Sequence, residues 1–227
     1  MNHEARIAVY YAPRATDKLA MAGASWLGRD AETNAPCPQP DIPDLATITA
    51  DPRGYAFHAT LKPPMRLAAG QDWFALVEAA TRLADRIAPF ALPPLAVSNV
   101  HGFLALRETI ACPALQSLAD LCVGELDAFR TPPDATELVR RRRAALTADQ
   151  DKMLVQWGYP YVFGTWFFHM TLTRRLTAAE TAIYRPAAEA HFAAALQQAR
   201  IVSDLCLFTQ IGPGAPFTIA ERIPLRG

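Results

Sequence analysis

Over residues 6–12 Ile7, Val9 and Tyr11 fall at alternate positions on one face, and this period of two predicts a strand. Residues 17–27 carry apolar positions at helical spacing and predict a helix. Between 31 and 53 the chain is punctuated by Pro36, Pro38, Pro40, Pro43 and Pro52, which predicts an extended loop placed to cover a cleft.

Beyond that loop one order of elements occurs twice. The first copy predicts a strand over 55–61, a helix over 71–87 stopped by Pro89, and strands over 90–97 and 103–107 joined by the turn-forming 98–102. The second predicts a strand over 165–172 and a helix over 178–199, capped by Thr177 and with Pro186 placed to kink or divide it. Strands over 201–210 and 217–223 follow, around a turn rich in Gly and Pro. Each copy opens on a His-x-Thr-Leu string: His58-Ala59-Thr60-Leu61 and His169-Met170-Thr171-Leu172, 111 residues apart. The same offset carries Phe90 onto Ile201, so the units are read as equivalents related by an approximate twofold axis, each His facing the other. Residues 112–130 and 134–157 predict two connecting helices separated by Thr131-Pro132-Pro133.

Composition narrows the class. With 51% hydrophobic and 19% charged residues, 227 residues can bury a sizeable core. Twenty-two basic residues balance twenty-two acidic ones, which argues against nonspecific binding of long nucleic acid and leaves room for a local anion pocket. Cys37, Cys112, Cys122 and Cys206 form no Cys-x-x-Cys pair, and no charged-then-apolar leader precedes the first strand, so a cytoplasmic protein with reduced thiols is expected. Every apolar run is interrupted before the roughly 20 residues that cross a bilayer, and no membrane insertion is expected.

The candidate chemistry lies in the paired strings. Along a strand His58 and Thr60 share one face and Ala59 and Leu61 the other, and the second string repeats this with His169 and Thr171 against Met170 and Leu172. Two imidazoles, with a reference pKa near 6.5, can divide the removal and delivery of a proton, and two hydroxyls can donate to nonbridging phosphate oxygens. Lys62 and Arg174 lie close in sequence to these groups. Tyr11, at the end of the first strand, is the preferred aromatic for lining the pocket, among Tyr10, Tyr55, Tyr159 and Phe168. In Arg140-Arg141-Arg142-Arg143, helical spacing gives Arg140 and Arg143 a shared face and makes them candidates for substrate contact, although such runs are usually solvated surface. His3, His101 and His191 lack ligand-like spacing and are read as structural or exposed, and Gly212-Pro213-Gly214 is a turn rather than a nucleotide-binding loop.

The two strings resemble the paired His-x-Thr/Ser-x motifs of the 2H phosphoesterase superfamily. Their contexts, YAFHATLKPP and WFFHMTLTRRL, are similar to the branch found among bacterial phosphonate-metabolism proteins, over nearly the whole chain. The resemblance implies an α+β, bilobal fold in which two pseudo-twofold-related antiparallel sheets flank a central cleft with helices outside. Lobes over 1–110 and 158–227 with a helical connection over 111–157, in one domain, are expected. It further implies a phosphodiesterase that uses no metal and no cofactor, opens a small cyclic phosphodiester, and employs one histidine as base and the other as acid. For that branch a sugar cyclic phosphate is the natural substrate. The rival readings are an enzyme acting on a 2',3'-cyclic RNA end, or a ligase-like RNA processor, and a noncatalytic module that binds a phosphate or nucleotide.

Overall fold

The structure, a computed structural model, describes residues 5–227. Strand β1 (Arg6–Tyr11) leads into helix α1 (Lys18–Leu27), which starts where the Asp17 carboxylate accepts from the Leu19 amide at 2.8 Å. Two short helices, α2 (Leu45–Ile48) and α3 (Ala50–Tyr55), occupy the end of the proline-punctuated stretch expected to be wholly extended. The first repeat then runs β2 (Ala59–Met65), α4 (Trp73–Ala84), β3 (Phe90–Leu92), β4 (Leu95–Val100) and β5 (Phe103–Glu108). The connection holds α5 (Pro113–Glu125), α6 (Ala135–Arg142) and α7 (Ala148–Trp157), so the expected helix over 134–157 is divided. Its second part begins afresh at a Thr147–Gln150 capping box. The second repeat runs β6 (Met170–Arg175), α8 (Ala178–Leu196), β7 (Arg200–Val202), β8 (Asp204–Gln210) and β9 (Thr218–Pro224). Pro186 leaves α8 a single helix.

Both motif strands begin one residue after their histidine, at Ala59 and Met170, rather than at residues 55 and 165. The backbone before each is committed otherwise. Ala56 adopts φ 64° and ψ 179° where α3 ends, and a 3₁₀ turn over Phe163–Thr165 precedes β6. The strands expected over 90–97 and 201–210 are each two strands, the first interrupted at Pro93-Pro94, where missing amide donors end the ladder.

Seven strands lie in the order β4-β5-β6-β2-β1-β8-β9, and β3 and β7 form a separate pair; every pairing is antiparallel. The long sheet is two sheets joined at one residue pair, Ala59 with Met170. Under the offset of 111 that pair is its own image, and the pairing Phe90 with Val202 becomes Ala91 with Ile201, which is also formed. The approximate twofold axis therefore passes between β2 and β6 and between β3 and β7.

The repeats are interleaved across this axis. β6 pairs with the hairpin β4–β5 of the first repeat, and β2 reaches the hairpin β8–β9 of the second through β1. Correspondingly α4 packs on β9, while α8 packs on β4 and α1. Leu61, Leu172, Leu104, Leu106, Leu205 and Leu207 fill the core between sheet and helices. Because β2 and β6 part after one pair, their next carbonyls need other donors. Trp166 Nε1–H donates to the Thr60 carbonyl at 2.9 Å and Trp26 Nε1–H to the Leu172 carbonyl at 3.0 Å, which satisfies these two carbonyls where the strands splay to open a cleft.

Candidate active site

One step either side of the Ala59–Met170 pair along the antiparallel strands stand His58 and Thr171 on one side and Thr60 and His169 on the other. All four line a single cleft of about 520 Å³, within the ~300–1,000 Å³ usual for small-molecule sites. Each imidazole is oriented by the same local bond. His58 Nδ1 lies 2.9 Å from the Ala56 carbonyl and His169 Nδ1 lies 3.1 Å from the Phe167 carbonyl. A carbonyl can only accept, so both rings carry their proton on Nδ1 and keep an unprotonated Nε2. For His58 that atom is 3.3 Å from the Thr60 hydroxyl.

Burial sets the charge state. His58 is pushed down to about 4, first by desolvation and then by the neighbouring His169 and by Arg29. His169 is also lowered, by desolvation and then by Arg107. At neutral pH both rings are therefore uncharged in the free protein. Tyr10 stacks on His58 with ring centroids 3.8 Å apart and planes 22° apart, while Phe167 lies 4.7 Å from His169 and Phe103 lies edge-on to it at 5.8 Å. The aromatic walls limit how either ring can turn.

The structure brings together the two histidines, the two threonines, Arg140 and Arg174. Arg174 is held at the margin by Glu180, 2.8 Å away. Lys62 points elsewhere, and the cause is a β-bulge. Tyr10 pairs with Thr60 but Val9 pairs with Lys62, so Leu61 is an extra residue that rotates Lys62 from the cleft face to the helix face. There it is buried, donating to the Val123 carbonyl at 3.0 Å and pairing with Asp127 at 3.3 Å. A second shift in register, between Val9 and Ile7, coincides with Pro63-Pro64, which cannot supply ladder donors.

Tyr11 is likewise corrected. Strand alternation sends it to the core with Ile7 and Val9, and its neighbour Tyr10 faces the cleft. Arg143 is exposed at the end of α6, and Arg141 takes the place beside Arg140. Glu137 holds both, at 3.5 Å and 2.8 Å, because i+3 and i+4 share its face of the helix. Tyr159, one of the aromatic candidates, lines the cleft, and so do Arg6 and Phe103, which were not singled out as site residues. The signal available for Arg141 was its spacing of four from Glu137; Arg6 offered none. His101 sits in the β4–β5 turn at φ 49°, His191 Nε2 donates to the Ala22 carbonyl at 2.9 Å, and His3 lies outside the described residues. Among the described residues no three His, Cys, Asp or Glu side chains converge as a metal site, and no helix is long and apolar enough to cross a membrane.

A family model described as "Protein of unknown function (DUF1045)" matches residues 60–218, a span that begins at Thr60 and includes the whole second motif. The chain belongs to the DUF1045 family. Two curated relatives are similar over nearly all of it. One, from Janthinobacterium sp. (strain Marseille), is 39% identical over 231 residues, covering 98% of this chain and 51% of the relative. The other, from Laribacter hongkongensis (strain HLHK9), is 35% identical over 221 residues, covering 96% and 51%. Both bear the name ribose 1,5-bisphosphate phosphokinase PhnN, and the DUF1045 chain spans about half their length. Among solved structures, E. coli LigT complexed with phosphate aligns over 100% of both chains at 12% identity, with a TM-score of 0.49.

Proposed function

We propose that this DUF1045 protein is a phosphodiesterase that opens a small cyclic phosphodiester by acid–base catalysis between His58 and His169, without a metal. The observation that carries the reading is the matched pair of imidazoles, each locked by a carbonyl two residues back, each offering an unprotonated Nε2 to the same cleft, and each accompanied by a threonine hydroxyl. This is the arrangement that the resemblance to the 2H superfamily implies.

One imidazole takes a proton from the attacking water, and the other delivers one to the alkoxide that leaves phosphorus on the opposite side. Both rings are uncharged before substrate arrives, so the acid must gain its proton as the phosphate enters. An anion beside a buried imidazole favours the charged form, and the substrate thereby arms the ring nearest its leaving oxygen. The threonine hydroxyls are placed to donate to the nonbridging oxygens, whose charge must be held during in-line displacement.

The relatives' name bears on the substrate. The DUF1045 chain lacks a Gly-x-x-x-x-Gly-Lys-Ser/Thr string, so the phosphokinase named for those longer proteins is assigned to the half it does not match. A kinase acting on ribose 1,5-bisphosphate needs a supply of that compound. Hydrolysis of the 1,2-cyclic phosphate of ribose 5-phosphate at its 2-oxygen yields it, adding one water and breaking one P–O bond. A sugar cyclic phosphate is accordingly the preferred substrate, in a cytoplasmic setting.

The test is turnover of a panel running from ribose 1,2-cyclic phosphates to oligonucleotides ending in a 2',3'-cyclic phosphate, with and without chelator. Turnover of the sugar compounds, undiminished by chelator and abolished in His58→Ala, is expected. Loss in chelator with recovery on adding one metal contradicts the mechanism, and binding without turnover across the panel makes the protein a binding module.

A further inference from the structure

At one end the catalytic cleft opens into a second groove, of about 650 Å³, which shares Arg6, Pro63, Pro64, Arg140 and Arg141 with it. The charge at that junction is out of balance. Glu137 is the one carboxylate serving both Arg140 and Arg141, and Arg6 bonds through Nε to the neutral Gln210 side chain at 2.6 Å, with no carboxylate partner among the described residues. A protein with zero formal net charge has thus gathered unneutralised guanidinium groups at one spot.

Two of these groups lie over aromatic rings. Arg6 lies over the Phe217 ring at 5.2 Å and Arg141 over the Tyr159 ring at 5.0 Å. Arg6 spends only Nε on its protein partner, and Arg141 spends Nε and Nη2 on Glu137, so both Nη atoms of Arg6 and Nη1 of Arg141 have no hydrogen-bond partner among the described residues. Planar guanidinium donors held in place by aromatic rings suit the oxygens of a phosphate monoester. The two histidines deal with one phosphate and are not at this junction, as neither lines the second groove.

We infer that Arg6, Arg140 and Arg141 form a second anion subsite that binds a distal phosphate monoester of the substrate, so that the enzyme selects cyclic phosphates carrying a second phosphate. The inference rests on the cyclic-phosphodiesterase reading and names its substrate class. It assigns α6 a purpose as well: its Glu137 does not cancel the arginines but aims them, leaving a positive edge where the two grooves meet. A dianionic monoester at that edge anchors the sugar while the cyclic phosphate meets the histidines, and binding energy remote from the reacting atoms is thereby used to orient them.

The experiment compares two compounds, the 1,2-cyclic phosphate of ribose and the same compound with a 5-phosphate, in wild type, Arg6→Gln and Arg140→Gln. Arg140 is 63% exposed, so its substitution leaves folding intact. Wild type is expected to prefer the 5-phosphorylated compound, and each variant to lose roughly 10- to 100-fold in kcat/KM on it with little change on the other. Equal turnover of both compounds by wild type, or equal losses on both in the variants, overturns the subsite and leaves cyclic-phosphate hydrolysis standing. No turnover of either compound by wild type overturns the hydrolytic reading and this inference with it. A terminally cyclic oligonucleotide that is the better substrate, and that alone responds to the variants, assigns the basic junction to an RNA strand instead.

Discussion

The two repeats present the same pair of side chains, a His and a Thr, yet they do not treat it alike. On the first side His58 is stacked against Tyr10, bonded within reach of Thr60, and hung from Ala56, whose φ of 64° and ψ of 179° belong to a region normally left to glycine. On the second side His169 has Phe167 and Phe103 as neighbours, takes its carbonyl bond from a residue that is not strained, and makes no bond to Thr171. The next equivalent pair diverges further: both sides have a register shift there, yet Lys62 is turned to the helix layer, while its image Thr173 lines the cleft and accepts from the Leu104 amide at 3.0 Å. In the proposed mechanism, these unequal surroundings are what would let one of two nearly identical imidazoles act as acid while the other acts as base.

The sharpest way to break the comparison is to remove the rings one at a time. His58→Ala and His169→Ala are each expected to lower kcat by about 100- to 10,000-fold on a cyclic phosphate, measured by formation of the ring-opened phosphate monoester. Near-normal turnover in either variant would show that one imidazole suffices and that the twofold arrangement is inherited packing. The same pair sharpens the electrostatics. With both rings depressed, the proton the acid must carry is scarce in the enzyme at neutral pH, so kcat/KM is expected to peak below pH 6.5 and to fall again at the acid end, where both rings charge. For stability the sign is that of a lowered folded-state pKa: His58 contributes stability that is present above pH 6.5 and lost as pH falls towards 4. Denaturant midpoints between pH 7 and pH 4 should therefore fall more steeply in wild type than in His58→Ala.

Next in size is the divergence at the bulge. Lys62→Met keeps the length of the buried side chain but removes its bond to the α5 carbonyl and its pairing with Asp127, which retains Arg130 at 2.7 Å. A loss of roughly 1.5–3 kcal/mol in urea unfolding is expected, with turnover retained by the folded protein. A fall in turnover without a fall in stability would return Lys62 to the cleft. The smallest effect is expected at Ala56→Gly, where relief of about 1–3 kcal/mol of backbone strain is partly offset by the entropy that glycine adds to the unfolded chain. A modest rise in Tm is the expected result, and an unchanged or lower Tm would mean that the contacts of His58 stabilise this conformation in full.

Much of the fold was legible because its signals are local. Period-two runs, helical spacing and turn residues located nearly every element, and the offset of 111 predicted an equivalence that strand pairing bears out at Ala59–Met170 and at β3–β7. What misled was also local. The first motif strand was expected to end at residue 61, whereas β2 continues through Pro63-Pro64 by bulging, and the bulge turns Lys62, a candidate only for its closeness in sequence to the motif, to the helix face. Tyr11 was preferred for its position at a strand end, although the same alternation that grouped it with Ile7 and Val9 had already sent it to the core. Arg6 could not have been found at all, since its place at the cleft depends on β1 lying between β2 and β8.

By itself the sequence determined the repeated unit, the identity of the paired His and Thr side chains, and the alternation that puts each pair on one face, because these follow from backbone periodicity within a few residues. Only the tertiary structure decided that the repeats interleave, that β2 and β6 touch once and then part, and which arginines stand at the mouth of the cleft. Those features depend on pairings between segments more than a hundred residues apart and on bulges that turn a side chain from one face to the other, and neither leaves a regular period to be read along the chain.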